Sequence, residues 1–320
     1  MPGIMFAARG LVVSFSVFVI VYCFLSLAVL LAWRNISVHI GQRPVRRIAD
    51  LLFTVRMFPL MAAAAITTAF TVPSFLLLEP RATDEPLIGM PLALGMCGVL
   101  LCIFGIVNAA VAVRRASRTV SNWTSKAQSI ASFEPVPILR ISPAVPAMTT
   151  AGIVHPKILL SGTAEAMLTG NELRTALNHE LEHVRRRDNL KKLFLRAVAF
   201  PGMAALDAAW LEATEMASDD AAVSSASDAL DLAAALIKLS RLGTVNPSAD
   251  LTAALVHSSA SFMNARVERL IAWSADRLAP ARRFSPWYGL AAALATVAVF
   301  AVTYSQLLAE VHTATEWLVR

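Results

Sequence analysis

His179-Glu180-Leu181-Glu182-His183 sets two imidazoles four residues apart in a stretch that reads as helix. On a helix that spacing brings both rings to one face, one turn apart. Two neutral imidazole nitrogens so placed make half of a Zn²⁺ site, and the carboxylate beside the first is positioned as general base toward a water that the metal acidifies. With 6 histidines in 320 residues, chance assembles this pattern in about one such chain in a hundred. A solvated helix face carrying two unrelated histidines is therefore set aside.

The metal-binding helix opens at Thr169-Gly170-Asn171-Glu172, a capping-box pattern with Thr169 at the N-cap, and should run to about Phe200, before Pro201. On a helical wheel Glu180 and Glu182 flank the histidines almost symmetrically, about 80° to either side. The motif assigns the base to Glu180 and leaves Glu182 a solvent-facing acid that pairs with Arg185 or Arg186. Asp188 points about 160° from the histidine face, which makes it structural support paired with arginine.

A catalytic zinc takes three protein ligands and keeps a fourth position open. A second helix, about Met203 to Ser224, offers Glu212, Glu215, Asp219 and Asp220. Glu215 and Asp219 stand at i and i+4, so Glu215 is read as the third ligand and Asp219 as the acid that holds a histidine ring by its other N–H. Read without the histidines, these acids fit a solvated face equally well. A third helix is expected over Ala229 to Leu242, with Ser227 as N-cap and Gly243 beyond its end, and a fourth over about Phe262 to Ala275. His257 and Arg266 are the residues placed to contact an oxyanion or the substrate, while His39, His155 and His312 read as surface residues.

Upstream, Val136 to Ile141 and Lys157 to Leu160 read as short strands between turn residues. Prolines at 135, 137, 143, 146 and 156 predict that both are edge strands, because proline cannot donate to a ladder.

Composition adds a second bound. At 57% hydrophobic and 16% charged residues, with a mean hydropathy of +0.61, the chain is too apolar for an ordinary soluble domain. Four stretches free of charge are long enough to span a bilayer: about 11–33, 57–78, 87–113 and 284–309. The first has no small-x-small cleavage site after Trp33 and is expected to stay as an anchor. Arginines 34, 43, 46, 47 and 56 lie between the first two spans, arginines 114, 115 and 118 follow the third, and arginines 277, 282 and 283 precede the fourth. Positive residues stay inside, so the amino terminus and residues 79–86 are expected outside, residues 114–283 in the cytosol as one metallopeptidase domain, and 310–320 as a short external tail. The net charge of +6 then reports topology and contact with anionic lipid, not nucleic-acid binding. Cys23, Cys97 and Cys102 all fall inside apolar spans and imply no disulfide framework.

Three segments together resemble the BlaR/MecR-type regulatory metallopeptidases, integral-membrane gluzincins of bacterial signalling. They are Ile153-Val154-His155-Pro156-Lys157-Ile158-Leu159-Leu160-Ser161, Asn178 to Asn189 around the two histidines, and Glu215-Met216-Ala217-Ser218-Asp219-Asp220-Ala221-Ala222-Val223. The resemblance covers nearly the whole chain, because three spans, a cytosolic α+β gluzincin-like domain and a fourth span are the family's order. It implies one Zn²⁺ per chain on His179, His183 and Glu215, with Glu180 as the base. It also implies an inner-membrane location and an extended substrate along the free edge of Lys157, Ile158, Leu159 and Leu160. The partner it implies is a cytosolic winged-helix transcriptional repressor that is cleaved. The sequence has eleven residues after Ala309 and no S-x-x-K, so the family's external penicillin-binding sensor is not expected and the signal would come through the spans, lipid, a partner membrane protein or a second copy. Two other readings stand beside this one: an HtpX/Ste24-like quality-control protease, and a non-catalytic scaffold with structural zinc.

Overall fold

The computed structural model describes residues 2–36, 44–80, 89–125, 127–133, 136–141, 147–198, 200–242, 253–254, 260–273 and 303–317. The chain divides into two compact units, one of residues 1–35, 57–104 and 280–320, the other of 36–56 and 105–279. Among the described residues, three helical runs are long and apolar enough to cross a membrane: Ile4–Trp33, Val45–Leu78 and Met90–Thr124. They belong to α1 (Pro2–Ile36), to α2 (Val45–Ile66) continuing through a π turn (Thr67–Thr71) into α3 (Val72–Leu78), and to α4 (Met90–Thr124). The second and third runs extend beyond their charge-free stretches, because the arginine-bearing turns at 45–56 and 114–124 contain no glycine or proline to stop a helix. Most of the expected fourth span, 284–302, lies outside the described residues. Residues 303–317 form a helix, α11.

In the first unit, close approach is set by small residues. A Cβ on Gly95 or Gly98 would lie about 3 Å from the Val12 or Phe15 carbonyl oxygen, so bare glycine lets α4 meet the α1 backbone. The Ser16 hydroxyl, at the same contact, donates to the Pro91 carbonyl at 2.8 Å. The π turn has a local cause in Pro73, which cannot donate to the Ala69 carbonyl four residues earlier. Tyr304 of α11 supplies the missing donor, its hydroxyl 2.8 Å from Ala69 O, as expected where a broken helix must satisfy its freed carbonyls.

The second unit is built on a five-stranded sheet of order β1-β2-β4-β3-β5. The strands are β1 (Gln128–Phe133), β2 (Val136–Ile141), β3 (Met148–Ala151), β4 (Lys157–Ser161) and β5 (Ala253–Ala254). β2 and β4 pair in parallel, and the other pairs are antiparallel. This corrects the expected edge strands. β2 lies between β1 and β4, and β4, carrying Lys157, Ile158, Leu159 and Leu160, is the central strand with no free edge to offer a substrate. The prolines permit it because Pro156 precedes β4, and Pro137 lies just ahead of the Ile138–Ile141 stretch that pairs with β4.

One sheet face carries Ile138, Met148, Ile158 and Leu160 against Ala176, Leu177, Leu232 and Leu236. The other packs Ile141, Ala151 and Leu159 against Val120 and Trp123 of α4. The helices that cover the first face are α6 (Gly170–Arg185), α8 (Ala204–Ala222), α9 (Ala226–Ser240) and α10 (Ala260–Ile271), with α5 (Gly162–Met167) as a short connector. The N-cap of α9 is Ser225, not Ser227, because the Ser225 hydroxyl accepts from the Asp228 N–H. The long helix expected from Thr169 to Phe200 is two helices. α6 ends at Arg185, Arg187 turns left-handed at φ 54, and α7 (Asp188–Ala197) starts in a new direction.

Candidate metal centre

The capping box that opens α6 is formed. Thr169 Oγ1 accepts from Glu172 N and Glu172 Oε2 accepts from Thr169 N at 2.8 Å, while Lys238 of α9 donates to both oxygens of Glu172. Two turns on, His179 and His183 share one face and are buried, and their Nε2 atoms lie 3.1 Å apart. Glu215 of α8 closes the triangle, with Oε2 3.5 Å from His179 Nε2 and Oε1 3.6 Å from His183 Nε2. The three ligand atoms can hold one metal ion. Their separations of 3.1, 3.5 and 3.6 Å lie close to the tetrahedral edges, roughly 3.3–3.6 Å, around a cation with bonds of about 2.0–2.2 Å.

What the second ring nitrogens touch explains the orientation. His179 Nδ1 is 2.9 Å from Asp219 Oδ1, and His183 Nδ1 is 2.8 Å from Asp188 Oδ2. When both Nδ1 atoms donate to carboxylates, both Nε2 lone pairs face the same point, an arrangement that repels itself until a cation sits between them. Burial opposes charging His179, but hydrogen bonds to Asp219 and Glu215 outweigh it and raise its pKa to about 9. The same ion pairs, with Arg266, overcome the burial of Glu215 and Asp219 and hold both carboxyls well below the usual range.

Asp188 is the first correction. A continuous helix would point it away from the histidines, but the left-handed Arg187 returns it to His183, where it is fully buried. Glu182 is the second, being 6% exposed and facing Arg185 at 3.7 Å and Arg46 of α2 at 3.9 Å, not solvent. Arg266 is the third. Its guanidinium forks onto Asp219 with two contacts of 2.7 Å and reaches Glu215 Oε2 at 3.1 Å. It therefore anchors the acids of the metal helix and is committed away from any oxyanion. His257 lies outside the described residues.

Glu180 is buried between the histidine face and β3. Thr150 of β3 donates to Glu180 Oε2 at 2.7 Å, while Glu180 Oε1 is buried with no hydrogen-bond partner among the described residues. Burial raises its pKa, against the opposing pull of His183, His179 and the Thr150 hydroxyl. A carboxylate raised by burial with one open oxygen is a competent proton acceptor near neutral pH.

Sequence reading missed Thr150, Asn189 and Lys192. Asn189 donates from Nδ2 to the carbonyls of Thr150 and Gly152 at 3.2 and 3.1 Å, pinning β3 to the start of α7. Gly152 turns at φ +97, where a Cβ would also lie 2.6 Å from the His155 carbonyl. Burial lowers the pKa of Lys192, whose ammonium also feels Glu215, Asp188 and Glu180. The adjacency of Asn189 to Asp188 was the one sequence signal on offer. Met148-Thr149-Thr150-Ala151 gave none, since all four residues are buried and the strand shows no alternation.

Glu79, His312 and Glu316 of the first unit make another group with ligand atoms close enough for a metal. Arg9 pairs with Glu79 at 2.9 Å, so a cation already occupies one side of that carboxylate.

A family model described as BlaR1 peptidase M56 matches residues 11–270. No curated protein matches the chain.

Proposed function

The chain belongs to the BlaR1 peptidase M56 family, and on that premise we propose that it is a membrane zinc endopeptidase of signal transduction that cleaves a cytosolic transcriptional repressor. It is a membrane protein of a metallopeptidase family. The observation that carries the reading is the convergence of His179, His183 and Glu215 on one point beside the open Oε1 of Glu180. A non-catalytic zinc scaffold has no use for a buried, unpartnered base beside its metal.

The donor set, two imidazoles and one carboxylate with room for a fourth ligand, suits Zn²⁺. Bound there, Zn²⁺ would polarise the scissile carbonyl and lower the pKa of the attacking water. Glu180 takes the water's proton on Oε1 and passes it to the leaving amine, while Thr150 fixes the carboxylate through Oε2. Asp219 and Asp188 hold the two histidine tautomers, and Arg266 keeps Asp219 and Glu215 ionised.

The arginine bias around the spans supports an amino terminus outside and residues 114–283 in the cytosol of a bacterial inner membrane, with 284–309 as a fourth span and 310–320 beyond it. A cytosolic active site gives access to a DNA-binding repressor, the winged-helix class being the one the family points to.

The test is co-expression with a winged-helix repressor encoded beside the gene. Wild type should yield repressor fragments and raise the repressed transcripts, and Glu180→Ala should do neither. Intact repressor under every inducing condition, with Glu180-dependent loss of misfolded membrane proteins, would transfer the chain to a quality-control role.

A further inference from the structure

Beyond the metal centre, the end of α6, the start of α7 and the first half of α2 form a half-open cavity of about 470 Å³ lined by Arg46, Asp50, Glu182, Arg185, Arg186 and Lys191. Four cations face two carboxylates on the cavity wall, with Asp188 3.7 Å from Arg186 and 3.8 Å from Lys191 behind it, which leaves the cavity net positive. The ion pairs across it are long: Arg46–Glu182 3.9 Å, Arg185–Glu182 3.7 Å, Arg186–Asp50 3.7 Å and Lys191–Asp50 3.5 Å. Such contacts are Coulombic and leave most of the N–H donors unspent.

Arg186 is the decisive residue. Its side chain is only 5% exposed, yet Nε, Nη1 and Nη2 are all buried with no hydrogen-bond partner among the described residues. Its nearest carboxylate oxygens, on Asp50 and Asp188, stand 3.7 Å away. A buried guanidinium without acceptors is costly, and its planar fork of donors fits the oxygens of a phosphate. A phosphate anion also offsets the positive excess, and the cavity has room for it.

We propose that this cavity is a binding site for a phosphate-bearing anion, with Arg186 forking onto the phosphate and Arg46, Arg185 and Lys191 around it. The same chemistry is presented by an anionic lipid headgroup and by soluble phosphate. Asp50 stands seven residues before Met57, where the charge-free run of the second span begins, or about 10 Å along the helix axis. That distance is within reach of a headgroup.

The full-length protein would be placed in nanodiscs of neutral phosphatidylcholine and titrated with inorganic phosphate, against chloride at matched ionic strength. In parallel, discs carrying phosphatidylglycerol would be compared with the neutral ones. Thermal unfolding midpoints and calorimetric binding are the readouts. One source should stabilise wild type saturably, with affinity about tenfold or more weaker in Arg186→Gln and partly restored in Arg186→Lys. Stabilisation by phosphate in neutral discs assigns a soluble ligand, and stabilisation only by phosphatidylglycerol assigns the headgroup. Should Arg186→Gln fail to fold, Arg46→Glu at the exposed rim is read by the same criterion, with retained metal content as its folding control. Absence of saturable stabilisation from both sources, or equal stabilisation of wild type and the arginine variants, overturns the proposal.

Discussion

The two sides of the α6 terminus handle charge in opposite ways. Toward β3 and α8, the acids of the metal centre are paired at 2.7–3.1 Å with Arg266 and the two imidazoles. Toward α2, the arginines and Lys191 meet their acids only at 3.5–3.9 Å. A catalytic metal site must be rigid before its ion arrives, so each ligand is held by a second group and that group is held in turn. Around the basic cavity no ion pair among the described residues is closer than 3.5 Å, and its charges are arranged around a space. His183 and Arg186 are three residues apart on one helix end, yet the close ion pairs lie on the metal side alone among the described residues.

Glu180→Gln is the sharpest way to break the comparison, since it removes the open oxygen of the base on the metal side. Proteolysis should fall by about 10² to 10⁴-fold while bound zinc, read by elemental analysis, stays at wild-type level. His183→Ala or Glu215→Ala should instead lose both zinc and activity. Full zinc in Glu215→Ala would move the third ligand to another acid.

Asp188→Asn and Asp219→Asn test whether saturation matters beyond the ligands. Each should weaken zinc binding by about 10 to 100-fold in a chelator competition. An unchanged Asp188→Asn would mean that the left-handed turn at Arg187 serves the helix path and not the metal.

Proton linkage comes next. Because the His179 pKa in the metal-free fold is raised from 6.5 to about 9, zinc must displace a proton at any pH below 9. Affinity for zinc should climb about tenfold per pH unit over that range and level off above it. Protonated His179 stabilises the metal-free fold fully below pH 6.5, and that contribution is lost as pH rises from 6.5 through 9. Unfolding of the metal-free protein at pH 6 and pH 9.5 would measure it, and a slope of opposite sign would refute the ion pair with Asp219.

The smallest effect belongs to Arg187→Gly. Relieving a left-handed backbone at φ 54 should stabilise the fold by up to about 1 kcal/mol, with zinc affinity retained because Asp188 keeps its place.

Much of the site was open to reading in one dimension. The i, i+4 pairs His179/His183 and Glu215/Asp219 are consequences of helix periodicity alone, and the capping box placed the start of α6 on local hydrogen bonds between neighbours. Three of the four apolar runs announced, by length and lack of charge, helices long and apolar enough to cross a membrane. Tertiary structure decided what periodicity cannot carry. A single left-handed residue, Arg187, ended the helix and returned Asp188 to His183, against every wheel projection from an unbroken helix. β4 became a central strand because Pro156 precedes it and β2 and β3 pair along its two edges. Thr150 reached Glu180, and Arg266 reached Asp219, over separations of 30 and 47 residues. Residue spacing fixes only which side chains share a face; what those faces meet is set by packing between elements distant in sequence.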